Sequence, residues 1–210
     1  AFRNALLPVI TVLGLDVGNI YAQRIYNYGE LKKALLTLTR LKHNSGFFST
    51  VCLDNLTVMQ AICMQERTSG DESVSIDRLP QQQDWGILLQ RMRAIVRVIR
   101  DLPCHTVFIA MEQERDGFIG PALQGAIFRE VPAMVDVCAR YVLINRTADD
   151  GKGNQVEQEV RYLQCHPSAA VPGRASAVIA KNRGGRLSKW EKPHLREIIA
   201  RIYPETPSQG

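Results

Sequence analysis

The sequence predicts an α/β fold: a mostly parallel sheet flanked by helices, with antiparallel strands toward the C-terminus. Three observations lead there. Short apolar runs alternate, through the first two thirds of the chain, with segments whose apolar residues recur every three or four positions. Three of those runs end abruptly in acidic or amide residues, at Asp16, at Asp54 and at Glu112-Gln113. Beyond residue 139 the β-rich runs follow one another with only turns between them.

The elements follow in order. Val9 to Leu15 reads as a buried strand closed by the turn Asp16-Val17-Gly18-Asn19. Gly29 to Lys42 sets Leu31, Ala34, Leu35, Leu38 and Leu41 on one helical face. Phe47 to Leu53 is a second buried strand, and a helix runs from about Thr57 to Arg67. The polar stretch Thr68 to Pro80 is a loop. Asp84 is the expected N-cap of the clearest helix, whose stripe is Trp85, Leu88, Leu89, Met92, Ile95, Val96 and Ile99. Trp85 belongs to that stripe, so it reads as core or interface rather than as a base-stacking platform. Asp101-Leu102-Pro103 stops the helix. Cys104 to Met111 is a third buried strand. The glycine-rich stretch Gly117 to Gly125 reads as a loop, and Ala126 to Met134 as a short helix. Ala139 to Asn145 and Glu157 to Cys165 form an antiparallel pair around Asp149-Asp150-Gly151-Lys152-Gly153. Ala175 to Ala180 is one more strand, and a helix from about Pro193 to Tyr203 closes the fold. Residues 204–210 should fray. No internal repeat or linker divides the 210 residues, so they read as a single domain.

Composition narrows the function. Hydrophobic content of 45% supports a real core, yet no run approaches the ~18 apolar residues of a membrane span. The apolar N-terminus lacks a basic flank and a cleavage site, and so reads as a core strand rather than a signal peptide. Five scattered cysteines, an odd number, read as buried free thiols in a reducing compartment. Cys104-His105 and Cys165-His166 match no zinc spacing. The net charge of +5 is concentrated: Arg174 to Arg201 holds eight basic and two acidic residues, a net +6. A basic patch on a near-neutral body points to a polyanion, nucleic acid or nucleotide phosphate.

The strand-end carboxylates carry the chemistry. An apolar strand ending in Asp54-Asn55-Leu56-Thr57 delivers one carboxylate to the carboxyl edge of a sheet, where P-loop ATPases handle Mg²⁺ and phosphates. Many α/β folds end a strand in Asp, so that motif alone is weak. If the first two strands are neighbours, Asp16 shares the crevice and is placed to orient an attacking water. Glu112 or Gln113 would sense the γ-phosphate. Lys181 and Arg183 follow a strand on a glycine-rich turn; spaced as alternate residues of a strand, they would point to one side and neutralise charge on a phosphate, or touch a DNA backbone. No Gly-x-x-x-x-Gly-Lys-Ser/Thr occurs in the chain.

Taken in order, these pieces resemble the phage RecA-like P-loop ATPases that accompany single-strand annealing proteins. The resemblance rests on several motifs: Leu15-Asp16; Glu30-Leu31 opening a helix; Asp54-Asn55-Leu56-Thr57, where the family more typically has Asp-Ser-Leu-Thr; and Asp84-Trp85-Gly86. It continues with a strand after Leu102-Pro103, with Gly120 to Gly125 before a helix and Asp136, and with Ala180-Lys181-Asn182-Arg183 ahead of Gly185 and the C-terminal helix. It covers nearly the whole chain, and the order of the motifs is more specific than any one of them.

The resemblance implies a RecA-like core that uses ATP and Mg²⁺, with Asp54, Asn55 and Thr57 at the nucleotide and Asp54 at the metal. It implies single-stranded DNA as partner, with Arg174, Arg186 and Lys189 on its backbone. It also implies a homo-oligomeric ring or filament with ATP between subunits, Lys181 and Arg183 acting on a neighbour's nucleotide, a possible annealing-protein partner, and residence in the bacterial host's cytoplasm. The family's phosphate loop should precede Asp16, where fifteen residues hold one glycine, Gly14. The expectation is therefore a phosphate-loop segment absent or lost. The alternative is a RecA-fold nucleic-acid-binding or assembly module without hydrolysis.

Overall fold

The computed structural model of the chain describes residues 20–41, 48–69, 79–149, 155–168 and 176–204. The strand expected over Val9 to Leu15, Asp16, Arg174, and much of the Thr68–Pro80 and 149–153 loops lie outside them.

Helix α1 spans Tyr28–Leu41. Strand β1, Thr50–Leu53, leads through Asn55 into α2, Leu56–Thr68. Helix α3, Gln82–Arg100, is the longest described helix. Its Leu88, Met92, Ile95, Val96 and Ile99 are buried against Leu31 of α1, and against Leu56, Met59 and Cys63 of α2. Each large aliphatic side chain buried there is worth about 1.5–3 kcal/mol. Strand β2, His105–Phe108, runs parallel to β1 with Leu53 opposite Phe108. Strands β3, Glu112–Arg115, and β4, Phe118–Pro121, form a hairpin, and α4 spans Ile127–Met134. Strands β5, Val137–Cys138, β6, Arg140–Asp149, and β7, Gln155–Gln164, follow. Then come β8, Ala177–Val178, β9, Lys181–Asn182, β10, Trp190–Glu191, and α5, Leu195–Ile202. A second, smaller core joins Cys165, Leu187 and Ile198, with Leu163 and Ile202 packed on it.

The helices agree with the periodicity; the sheets differ from expectation. Among the described residues they are small and of mixed orientation: β1–β2 and β4–β8 are parallel, while β3–β4, β5–β9 and β10–β7–β6 are antiparallel. One cause is local. Asp116 and Gly117 both take positive φ, so the chain doubles back in a two-residue turn rather than crossing over. Glu112 and Gln113 therefore lie within β3 instead of ending the third strand, and half of the glycine-rich loop becomes β4. Gly120 sits inside that strand because a Cβ there would come within 2.9 Å of Ile179 and Phe128 side-chain carbons.

Four smaller corrections follow. Strand β1 is half-buried rather than buried: Val51 and Leu53 face the core, whereas Cys52 is exposed, contrary to the expectation of uniformly buried thiols. Asp84 is not the N-cap of α3 but lies inside its first turn, buried, accepting from the Gln81 N–H at 2.9 Å and pairing with Arg67. Trp85 is 43% exposed, because α1 and α2 cover only the Leu88–Met92 side of α3. The strand expected over Ala175 to Ala180 shrinks to two residues, and Lys181 forms the short strand β9 with Asn182 while Arg183 lies on the glycine-rich turn after it.

Candidate functional site

The parallel pair β1–β2 builds the site. At its carboxyl edge the Ile109 N–H donates to the Leu53 carbonyl at 3.1 Å, the last rung of the pair. Asp54 follows immediately and is exposed. Among the described residues, no hydrogen bond or ion pair holds its carboxylate. Asn55 caps α2, its Oδ1 accepting from the Val58 N–H at 2.8 Å. The Leu56 N–H donates to the Ile109 carbonyl at 2.8 Å, and the Met111 N–H donates to Thr57 Oγ1 at 3.1 Å. The first turn of α2 is thus stitched to the segment leaving β2.

Two further bonds bring in the approach to α4. The Gln124 N–H donates to Gln60 Oε1 at 2.9 Å, and Gln113 Nε2 donates to the Leu123 carbonyl at 2.9 Å. These bonds bring Asn55, Thr57 and Gln113 to the edge where Asp54 stands. Gln60 was not foreseen. Its signal was available: a polar residue on the buried face of α2 between Met59 and Cys63.

Glu112 lies beside this group, but both its oxygens are held by Arg140, at 2.5 and 2.9 Å. The ion pair ties the β3–β4 hairpin to the root of β6. Cys52, on the strand below Asp54, has its thiol pushed up in pKa, chiefly by burial and then by the Asp54 charge.

Lys181 and Arg183 come together elsewhere. Lys181 Nζ donates to the Ala133 carbonyl near the end of α4 at 2.7 Å. Arg183 donates to Asp136 Oδ1 at 2.7 Å, and the Tyr203 hydroxyl donates to Asp136 Oδ2 at 2.8 Å. Arg183 first, and Tyr203 second, hold the Asp136 carboxyl below the usual carboxylate range. The Tyr203 ring lies 6.2 Å from that of His105, which opens β2. This corner therefore sits by the amino edge of the parallel pair, at the other end from Asp54.

The C-terminal basic patch is smaller than its composition suggests. Arg186 donates to the Ile202 carbonyl at 2.8 Å, and Arg201 embraces buried Glu191 at 2.7 and 2.8 Å. Lys189 lies over the Trp190 ring at 5.9 Å. Lys192 and Arg196 are exposed without an ion pair among the described residues. No described helix is long and apolar enough to cross a membrane.

A family model described as an AAA domain matches residues 12–183, spanning the Asp54 edge through to Arg183. No curated protein and no solved structure matches the chain at the stringency applied. The matched span covers most of the sequence and agrees with an exposed carboxylate at the carboxyl edge of a parallel strand pair, which is where an ATPase of this class handles its nucleotide. The chain belongs to the AAA domain family, whose fold is of the nucleotide-binding P-loop ATPase type.

Proposed function

We propose that the chain is a Mg-ATP-dependent, RecA-like ATPase acting on single-stranded DNA in phage annealing and recombination, in the host cytoplasm. It would work as a homo-oligomeric ring or filament. The observation that carries the reading is Asp54, an exposed carboxylate with no partner among the described residues, on the strand edge of an AAA domain.

The residues present fit Mg²⁺. That ion is held by one or two carboxylates, with waters and phosphate oxygens completing its octahedron. Asp54 supplies one such group, and no cluster of three metal-ligating side chains occurs among the described residues. Bound there with ATP, Mg²⁺ would neutralise charge on the β and γ phosphates. Thr57 accepts from Met111 and keeps its own proton to donate. Gln113, anchored on Leu123, is the better γ-phosphate sensor of the two expected, because Glu112 is engaged by Arg140. Asp16, outside the described residues, would orient the attacking water. The separation of Arg183 from Asp54 within one chain supports action across a subunit interface. Arg183 would have to leave Asp136 to reach a neighbour's nucleotide.

One observation favours the second reading, a DNA-binding or assembly module without hydrolysis: the 210 residues contain no Gly-x-x-x-x-Gly-Lys-Ser/Thr. One experiment separates the two. Phosphate release is measured with Mg-ATP, with and without oligo(dT), for the wild type and Asp54→Asn. DNA-stimulated hydrolysis that Asp54→Asn abolishes supports the ATPase. DNA binding with no hydrolysis in either protein selects the second reading.

A further inference from the structure

The three-stranded ribbon β10–β7–β6 has two chemically different faces. Val142 opposes Tyr162, and Trp190 opposes Gln164, so Tyr162, Gln164 and Trp190 share a face with Val142, Ile144 and Arg146. On that face the Tyr162 and Trp190 rings meet edge to face, centroids 6.4 Å apart. Arg146 lies 4.9 Å from the centre of Tyr162, and Lys189 lies 5.9 Å from that of Trp190. Neither cation has a carboxylate partner among the described residues. Glu157 and Glu159 oppose Thr147 and Asn145 and therefore occupy the other face. The aromatic face carries no carboxylate between Arg140 and Ala148 or between Val156 and Gln164. Trp190, on the edge strand, is 38% exposed.

We infer that this face is a stacking platform for the bases of single-stranded DNA, with Tyr162 and Trp190 as the stacking rings and Arg146 and Lys189 on the phosphates. The inference rests on the single-stranded-DNA reading above and gives it a place. Stacking accepts any base, and flanking cations hold the backbone; an aromatic face whose own strands contribute no carboxylate, and whose neighbouring Glu112 is already held by Arg140, answers both requirements with its two unpaired cations. A purely structural aromatic pair would need neither an exposed indole nor the segregation of the ribbon's own carboxylates to the opposite face. Duplex DNA keeps its bases stacked on each other and has none to offer Trp190.

The test uses the full chain. It has two tryptophans, so Trp85→Phe leaves Trp190 as the sole reporter. Labelled oligo(dT), and a duplex of equal length, are titrated at two salt concentrations while Trp190 emission and label anisotropy are followed. The expected result is quenching of Trp190 by oligo(dT) and not by duplex. Trp190→Ala and Tyr162→Ala should each weaken oligo(dT) binding by about tenfold without altering its salt dependence. Trp190→Phe, which preserves a ring and the ribbon's packing, should restore most of the affinity. Arg146→Gln should instead flatten the salt slope by about one. Oligo(dT) binding with unmoved Trp190 emission and an unaffected Trp190→Ala overturns the platform while leaving the DNA reading intact. Equal affinity for duplex reduces the face to bulk electrostatics and also overturns it. Absence of binding by the wild type overturns both.

Discussion

The two ends of the β1–β2 pair both carry charged side chains and treat them differently. At the amino edge, Asp136 is held by Arg183 and Tyr203, and Lys181 is held by the Ala133 carbonyl. At the carboxyl edge, the hydrogen bonds of Asn55, Thr57, Gln60 and Gln113 all serve the scaffold, and Asp54 stands among them with no partner among the described residues. A charge satisfied within the chain holds the fold together. A charge left unsatisfied on a rigid scaffold remains for something that arrives from outside. The same distinction divides the basic patch: Arg183, Arg186 and Arg201 are engaged internally, whereas Lys192 and Arg196 are not.

The largest expected effect tests that division at Asp54. Asp54→Asn should lower Mg-ATP hydrolysis by about a hundredfold, since a lost metal carboxylate removes several kcal/mol of charge stabilisation. It should shift folding stability by less than about 0.5 kcal/mol, because no described contact is lost. A comparable loss of stability, read from urea unfolding, would show that Asp54 is structural and erase the contrast.

Arg201→Leu is the mirror experiment. It leaves the Glu191 carboxylate buried with only the Ser188 N–H as a donor, and should destabilise the protein by roughly 2–3 kcal/mol. A calorimetric scan would register this as a drop of several degrees, while oligo(dT) affinity stays unchanged. A weakened affinity at unchanged stability would mean that Arg201 contacts the oligonucleotide rather than holding the fold.

A pH series sharpens the amino-edge corner. The folded-state pKa of Asp136 is lowered, first by Arg183 and then by Tyr203. Its contribution is therefore fully present above the ordinary carboxylate value of 3.8, and is lost as pH falls through the depressed native value. The urea midpoint of the wild type should exceed that of Asp136→Asn at neutral pH, and the gap should narrow as pH falls below the ordinary carboxylate value of 3.8. A gap that persists in strong acid would mean the residue acts through packing. The contribution is modest because Arg183 is largely exposed.

The smallest effect is one of reactivity. Burial raises the Cys63 and Cys165 thiols to about 11 and hides them; the Cys52 thiol is also raised, but it is exposed to reagent beside Asp54. Brief alkylation followed by peptide mass mapping should modify Cys52 first. Protection of Cys52 by Mg-ATP would tie that exposure to the candidate site.

Much of the site was legible in the primary structure. An apolar run closed by Asp54-Asn55-Leu56-Thr57 announces a strand, a carboxylate and a helix cap within a few residues, and each of these is a local property. The Arg115–Phe118 hairpin was equally legible in Asp116-Gly117, a strong short-range turn signal, but the glycine-rich stretch beyond it reads as a loop. Glu112 illustrates the other kind of miss. Its local setting marks it as a strand-end acid; its partner, Arg140, lies 28 residues away.

The sequence by itself determined the helices α1 to α5, the hairpin β6–β7, the strand that carries Asp54 and the AAA domain to which the chain belongs. These follow from hydrophobic period and from capping and turn residues, which act over a few positions. Only the tertiary structure decided which charges are neutralised, that both tryptophans stay exposed, and which aromatic rings meet on the β10–β7–β6 ribbon. Those properties depend on residues such as Arg183 and Asp136, 47 positions apart, meeting in space. No local pattern encodes that meeting, because each partner alone is simply a charged residue on a turn.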